Sequence, residues 1–230
     1  MNIEKLLEYA RIDAEMAKLN LAFNAEAEVK EYKLQTKRYK DASDLIGKLN
    51  AEADDIIKQM SALQDRYQDA MHELNEYKAT VAEIEDENEA DFYIKNVEKM
   101  VATLSAMAGD IAQLSKRVAD VRQQTGKAFA VAQEATKRIG ELAPAYKEIT
   151  KRYEPDVAAI KARLAAAAEG LGEALNIYLN LKRSGVKNRI VKVNGNNCGG
   201  CFMDIDVGTR DRINTVGYVL CPNCGRILYK

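Results

Sequence analysis

The stretch Ile46-Gly47-Lys48-Leu49-Asn50-Ala51-Glu52-Ala53-Asp54-Asp55-Ile56-Ile57-Lys58-Gln59-Met60-Ser61-Ala62-Leu63 decides how this chain is read. From Leu49 its apolar positions step by three and four residues through Ala53, Ile56, Met60 and Leu63, and the same phase continues through Tyr67, Ala70, Leu74, Tyr77, Val81 and Ile84. A mean step near ~3.5 residues sustained this long marks a coiled-coil seam with left-handed supercoil. A second seam follows through Ile94, Val97, Val101, Leu104, Ala108, Ile111 and Val118. Between the two lies an acidic run of Glu83, Glu85, Asp86, Glu87, Glu89 and Asp91, with Asn88 in its middle. A reversal near residue 88 and a returning antiparallel helix account for all three features.

Around this seam, residues 1–183 hold two prolines and no cysteine, and are rich in Ala, Glu, Lys and Leu. That composition favours long helices. With the tip near 88, Ala10, Ala14 and Ala17 face the stretch holding Ala159, Ala162 and Ala165 to Ala168, so small residues are expected to meet small residues. The charged, seam-poor stretch from Glu26 to Asp41 faces the segment with Gly140, Pro144 and Tyr146, and a kink is expected at Pro144 and Pro155. Gly170 and Gly172 should end the returning helix and leave a short amphipathic helix near 173–183. Ile12, Met16, Leu19 and Phe23 are outer apolar positions through which two hairpins could pair, which leaves the oligomeric state open.

Residues 184–230 are a different material. Cys198-Gly199-Gly200-Cys201 and Cys221-Pro222-Asn223-Cys224 hold all four cysteines of the chain. Two Cys-x-x-Cys turns at this separation match the ligands of one structural zinc ion in a β ribbon, each turn supplying two thiolates. Glycines 199, 200 and 225 let the backbone curl around the sulfurs, and the runs Arg189–Val193, Thr215–Leu220 and Arg226–Tyr229 read as strands. A redox dithiol pair or two disulfides is the other reading of such cysteines. Tandem pairs in a chain without a secretory signal favour metal.

The stretch Cys198-Gly199-Gly200-Cys201-Phe202 to Cys221-Pro222-Asn223-Cys224-Gly225-Arg226-Ile227-Leu228-Tyr229 resembles that of the bacterial four-cysteine zinc-ribbon proteins, which carry a long helical hairpin ahead of the ribbon. The resemblance implies a mainly α fold, a long antiparallel coiled-coil hairpin followed by a small C-terminal ribbon. It also implies protein partners of one kind, the enhancer-dependent alternative sigma factor or flagellar and type III secretion components, with messenger RNA in some relatives. Phe202 stands where many relatives are expected to carry histidine.

Charge is unevenly spread. Residues 182–230 carry nine Lys or Arg and three acidic residues, and the remainder carries 25 basic and 32 acidic ones. Lys187, Arg189, Lys192, Arg210, Arg212 and Arg226 are therefore candidate contacts to a partner or to RNA or DNA phosphates, although part of this charge balances a zinc tetrathiolate. Enzymatic readings fail on inventory. His72 is the single histidine and lies off the seam, no Walker loop is present, and four thiolates leave a metal no open position. The amino-terminal residues lack the apolar run of a signal peptide, and no stretch approaches a membrane span, so a cytoplasmic protein is expected. Two function classes remain: a non-enzymatic adaptor or chaperone-like scaffold for a protein partner, and a nucleic-acid-binding protein that uses the basic ribbon.

Overall fold

The computed structural model describes residues 3–81, 84 and 86–230, so that Glu83 and Glu85 of the acidic run lie outside the described residues. The chain is mainly helical. Helices α1 (Ile3–Ala25), α2 (Ala27–Val81), α3 (Glu87–Ala168), α4 (Gly172–Arg183) and α5 (Val207–Val216) are joined by strands β1 (Ile190–Asn194), β2 (Asn197–Cys198), β3 (Val219–Leu220) and β4 (Ile227–Tyr229). The long helices α2 and α3 pack as a hairpin. Two compact units result, one of Glu31–Ala143 and one of Met1–Lys30 with Pro144–Lys230.

In the unit Glu31–Ala143 the buried residues recur every seven positions. They are Gln35, Ala42, Leu49, Ile56, Leu63 and Ala70 on α2, and Met100, Met107, Leu114, Val121, Ala128 and Ala135 on α3. Tyr77 and Tyr93 continue the layer edge to face, with centroids 5.4 Å apart. The other half of the seam is only partly closed, with Ala53 and Leu104 half-buried against the layer. Met60, Tyr67, Val81, Ile111 and Val118, each four residues beyond a layer position, remain between 46 and 51 % exposed. Two helices touch along one line, and without further helices only one layer lies between them. On the opposite side of that line the neighbours are polar. Arg117 donates to Asp55 and to Gln59, each at 3.1 Å, and Arg66 lies 3.9 Å from Asp110.

The seam also continues where the sequence reading placed a weak zone. Gln35 occupies a layer position at 4 % exposure, donates to Glu31 Oε1 at 2.7 Å, and keeps a buried Oε1 without a hydrogen-bond partner. A polar side chain in such a layer costs stability and specifies register. The reversal, too, is displaced from residue 88. Asn88 lies in the first turn of α3, and Tyr77 meets Tyr93 where a tip at Asn88 would bring Met100. The cause is capping: Asp86 Oδ1 accepts the Asn88 amide at 3.1 Å, and carboxylates favour the positive end of a helix. The described part of the acidic run, from Asp86 onward, therefore begins the return helix.

The second unit contains α1, the end of α3, α4 and the ribbon. Leu171, held between Gly170 and Gly172 at φ of +78° and +47°, buries itself with Leu6, Ala174, Tyr178 and Ile227. The alanine pairing expected at the base holds only in part: Ala167 is buried and Ala10 half-buried against the Leu6 cluster. Ala14, Ala17, Ala159 and Ala162 are exposed, whereas Ile12 is buried and Phe23 packs on Tyr146 and Tyr153 at 6.1 and 5.4 Å, so Ile12 and Phe23 are not outer positions. Helix α3 stays helical through Pro144 and Pro155. The interruption falls on the opposing strand of the hairpin, at Glu26, whose carboxylate accepts Arg152 at 2.5 Å and the Tyr153 hydroxyl at 3.0 Å.

One buried charge joins three elements of this unit. Asp13 of α1, 6 % exposed, accepts the Tyr178 hydroxyl at 2.9 Å and the Lys182 ammonium, both from α4, and lies 3.9 Å from Arg189 beside β1. Arg189 in turn donates to the Tyr178 oxygen at 3.2 Å, and its guanidinium covers the ring at 5.3 Å. Burial, and then the Asp13 carboxylate, push the Tyr178 hydroxyl up to about 12.

Two outcomes are expected. In urea unfolding, Leu63→Ala should cost ~2–4 kcal/mol because it empties the closed layer, whereas Met60→Ala on the open side should cost under ~1 kcal/mol; equal costs would contradict a single closed layer. The second concerns alkaline pH. Unfolded Tyr178 ionises near its ordinary value of 10.0 while the folded hydroxyl holds its proton to about 12, so the stability it contributes is complete below pH ~10 and is lost as pH rises through this window. The stability of Tyr178→Phe should fall less steeply there.

Candidate metal centre

The ribbon is a four-stranded sheet in the order β2-β1-β4-β3. Strand β1 pairs with β2 across the Gly195 turn and runs parallel to β4, with Ile190 opposite Ile227, while β3 pairs antiparallel with β4. This crossover brings the two Cys-x-x-Cys turns together. Their sulfurs all lie within 4.8 Å of one another, with Cys198 Sγ 3.8 Å from Cys224 Sγ and Cys201 Sγ 3.8 Å from Cys221 Sγ. Sulfurs at the corners of a tetrahedron with metal–sulfur bonds of ~2.3 Å are ~3.8 Å apart, and a disulfide would need ~2.05 Å. The four cysteines can thus hold one metal ion, and they are not disulfide-bonded.

Backbone and side-chain donors surround the sulfurs. The Gly200 amide donates to Cys198 Sγ at 3.4 Å, and amides of Asn223 and Cys224 reach Cys221. Burial pushes the Cys221 thiol up to about 12 despite those amides. At Cys224 burial also opposes ionisation, but the Arg226 amide and guanidinium, with the neighbouring Cys201 and Cys221, outweigh it and lower the thiol to about 6. Arg226 is therefore a partner of the thiolate, and its Nε also donates to the Lys187 carbonyl at 3.2 Å. The first knuckle needs its glycines for closeness. A Cβ on Gly199 would overlap the Lys192 carbonyl oxygen, which accepts the Gly199 amide at 3.1 Å, and one on Gly200 would meet the flexible Arg226 side chain.

Between the knuckles the structure departs from the strand expected over 215–220. Thr215 and Val216 end helix α5, and only Val219–Leu220 pair as β3. Asp206 caps α5, accepting the Thr209 amide at 2.8 Å, and Gly217 ends it in the left-handed conformation at φ of 89°. Asp206 three residues before Thr209, and Gly217 beyond, were the available signals. Ile213 of α5 packs with Ile205, Val219 and Leu228 beside the buried cysteines.

The six cations singled out in the sequence separate by position. Arg189 is committed to Asp13 and Tyr178, Arg226 to the cysteines, and Arg210 to Asn196. Lys187, Lys192 and Arg212 are exposed, and the Lys192 ammonium lies 5.8 Å from the centre of the Tyr229 ring. The pattern of Arg226 two residues after Cys224 was legible as charge, but its role as a sulfur partner was not. Phe202 takes a left-handed backbone, φ 62°, with its ring 69 % exposed. His72 is exposed on α2, 3.6 Å from Glu76. No helix of the described residues is long and apolar enough to cross a membrane.

No family model matches the chain, and no curated protein matches it. Solved structures do. The chain is similar to the HP0958 protein of Helicobacter pylori, with 20 % identity, a TM-score of 0.60, and coverage of 99 % of this chain and 96 % of that one. This likeness shows the fold. A protein of Mycobacterium smegmatis (17 % identity, TM-score 0.46, coverage 99 % and 96 %) and CT398 of Chlamydia trachomatis (15 %, 0.47, 98 % and 96 %) are also matched.

Elemental analysis of the protein is expected to return one metal equivalent per chain, and Cys221→Ser to lose it while helical circular dichroism is retained. Gly199→Ala should weaken metal retention against a chelator by ~tenfold or more, and Gly200→Ala by less, because a backbone carbonyl cannot move aside as a side chain can. Equal effects would contradict the close approach at Gly199.

Proposed function

We propose that this protein is a non-enzymatic adaptor in which a structural zinc ion folds the ribbon and the open side of the hairpin receives a helix of a protein partner. Zinc suits the donor set, since four thiolates at tetrahedral spacing select a soft d10 ion or an iron–sulfur cluster, and a closed site leaves no position for substrate. Cys198, Cys201, Cys221 and Cys224 would hold it. The observation that carries the adaptor reading is the half-open seam. Ile57, Met60, Tyr67, Ile111 and Val118 line a groove of about 680 Å³ on one side of the hairpin, and an added helix would close the layer that two helices leave exposed. Contiguous apolar surface of this kind marks an interaction site.

The resemblance to bacterial zinc-ribbon proteins supports a transcription or secretion partner, an alternative sigma factor or a flagellar or type III secretion component, in the cytoplasm. The competing reading assigns nucleic acid to the exposed Lys187, Lys192 and Arg212. Capture of partners from nuclease-treated lysate separates the two. The triple variant Met60→Ser, Ile111→Ser, Val118→Ser is expected to lose the captured partner by ~tenfold or more, and Lys187→Ala, Lys192→Ala, Arg212→Ala to keep it. The reverse result, with nuclease abolishing capture by the native chain, would replace the adaptor reading with the nucleic-acid one.

A further inference from the structure

The charge of the helical region is concentrated at one place. Residues 73–98 carry nine acidic side chains and two cations, Lys78 and Lys95, a formal −7. Residues 1–183 together carry 27 basic and 32 acidic side chains, −5, so the helical region outside 73–98 is slightly basic. Within the same span the end of the hairpin holds a groove of about 380 Å³, lined by Val81, Ile84, Ala90, Tyr93, Ile94 and Val97 and bordered by Glu98. Val81 and Ile94 are 51 and 56 % exposed. Glu87 lies seven residues before Ile94, and Asp91 seven before Glu98, so at helical spacing both acids stand on the groove's side of α3.

The helix dipole explains acids in the first turn, Glu87 and Glu89 with the capping Asp86, but its effect fades within that turn. Asp91 and Glu98 lie beyond it. They share their side of α3 with an apolar groove that no described element covers. An apolar groove bordered by one sign of charge selects an occupant with an apolar face and the opposite sign.

We propose that this end of the hairpin is a docking site for a basic amphipathic helix, one that presents an apolar stripe to Val81, Ile94 and Val97 and lysines or arginines to Glu87, Asp91 and Glu98. The inference rests on the adaptor reading and names the charge and form of the partner segment. Tip-to-tip pairing with a second copy of this chain is disfavoured, because it would bring a like charge of −7 against this one. Nucleic acid is repelled by the same charge.

The test uses the full chain and two labelled synthetic peptides, each of roughly five helical turns with the same leucine face, one bearing lysines and the other glutamates. Fluorescence anisotropy should show the lysine peptide binding and the glutamate peptide not. The paired change Val81→Ser, Ile94→Ser should weaken binding by ~tenfold or more, and Glu87→Gln, Asp91→Asn, Glu98→Gln should weaken it similarly while flattening its salt dependence. Val81 and Ile94 are more than half exposed, so circular dichroism of the first variant should match that of the native chain. Equal binding of both peptides, lysine-peptide binding indifferent to Val81→Ser, Ile94→Ser, or sedimentation showing dimers that this variant abolishes would each overturn the proposal. If it fails while the Met60, Ile111 and Val118 substitutions still abolish partner capture, the adaptor reading survives and only the tip assignment falls.

Discussion

Each long helix contributes one fully enclosed residue in seven, and the remaining chemistry of the hairpin unit is arranged around that line. Ile56, Leu63, Met107 and Leu114 lie between the helices, where removing apolar surface from water stabilises by ~25 cal/mol per Å2. On one side of this line Arg117, Asp55 and Gln59 form exposed polar contacts, each of which contributes little. On the other side Met60, Tyr67, Ile111 and Val118 remain half in water. This pair encloses one flank of its seam more fully than the other, so the unit is stable along its line and available along one side.

The ribbon meets a related constraint at smaller scale. Its own cluster combines Cys198 and Cys221 with Ile205, Ile213, Val219 and Leu228, too few residues to carry a domain without a metal or a neighbour. Both are provided for. The sulfurs stand at tetrahedral spacing on one part of the ribbon, and Ile227 on another joins Leu6, Leu171 and Tyr178 of the helices. Asp13 strengthens that junction at a cost. A carboxylate taken out of water must be met by Tyr178, Lys182 and Arg189, and once met it specifies how α1, α4 and β1 fit together.

The four-cysteine cluster was legible because its determinants are local. Two short turns each present a pair of thiolates, and the composition of the chain leaves no other sulfur donor of that kind. The hairpin was legible for a similar reason, since a seven-residue apolar repeat is written along the chain itself. The tip was misplaced by several residues because a run of carboxylates reads equally as a loop or as the first turn of a helix, and capping by Asp86 decides for the helix. The last two residues of helix α5 were read as strand because Thr215 and Val216 are β-branched, while the cap at Asp206 and the left-handed Gly217 overrode that propensity.

Periodicity and cysteine spacing along the chain are sufficient for the long helices, the existence of a reversal and the two thiolate pairs, because each follows from neighbours a few residues apart. Tertiary packing alone decides which half of the apolar repeat is enclosed, that Gln35 and Asp13 are buried, and that Arg226 serves a thiolate while Lys192 faces solvent. Such choices depend on which surface of an element meets another element far away in sequence. The repeat marks both flanks of the seam alike, and a lone arginine looks the same whether it faces sulfur or water. Contact between distant segments removes that degeneracy, because only one of the alternatives encloses the apolar side chains among neighbours and gives most buried polar groups a partner.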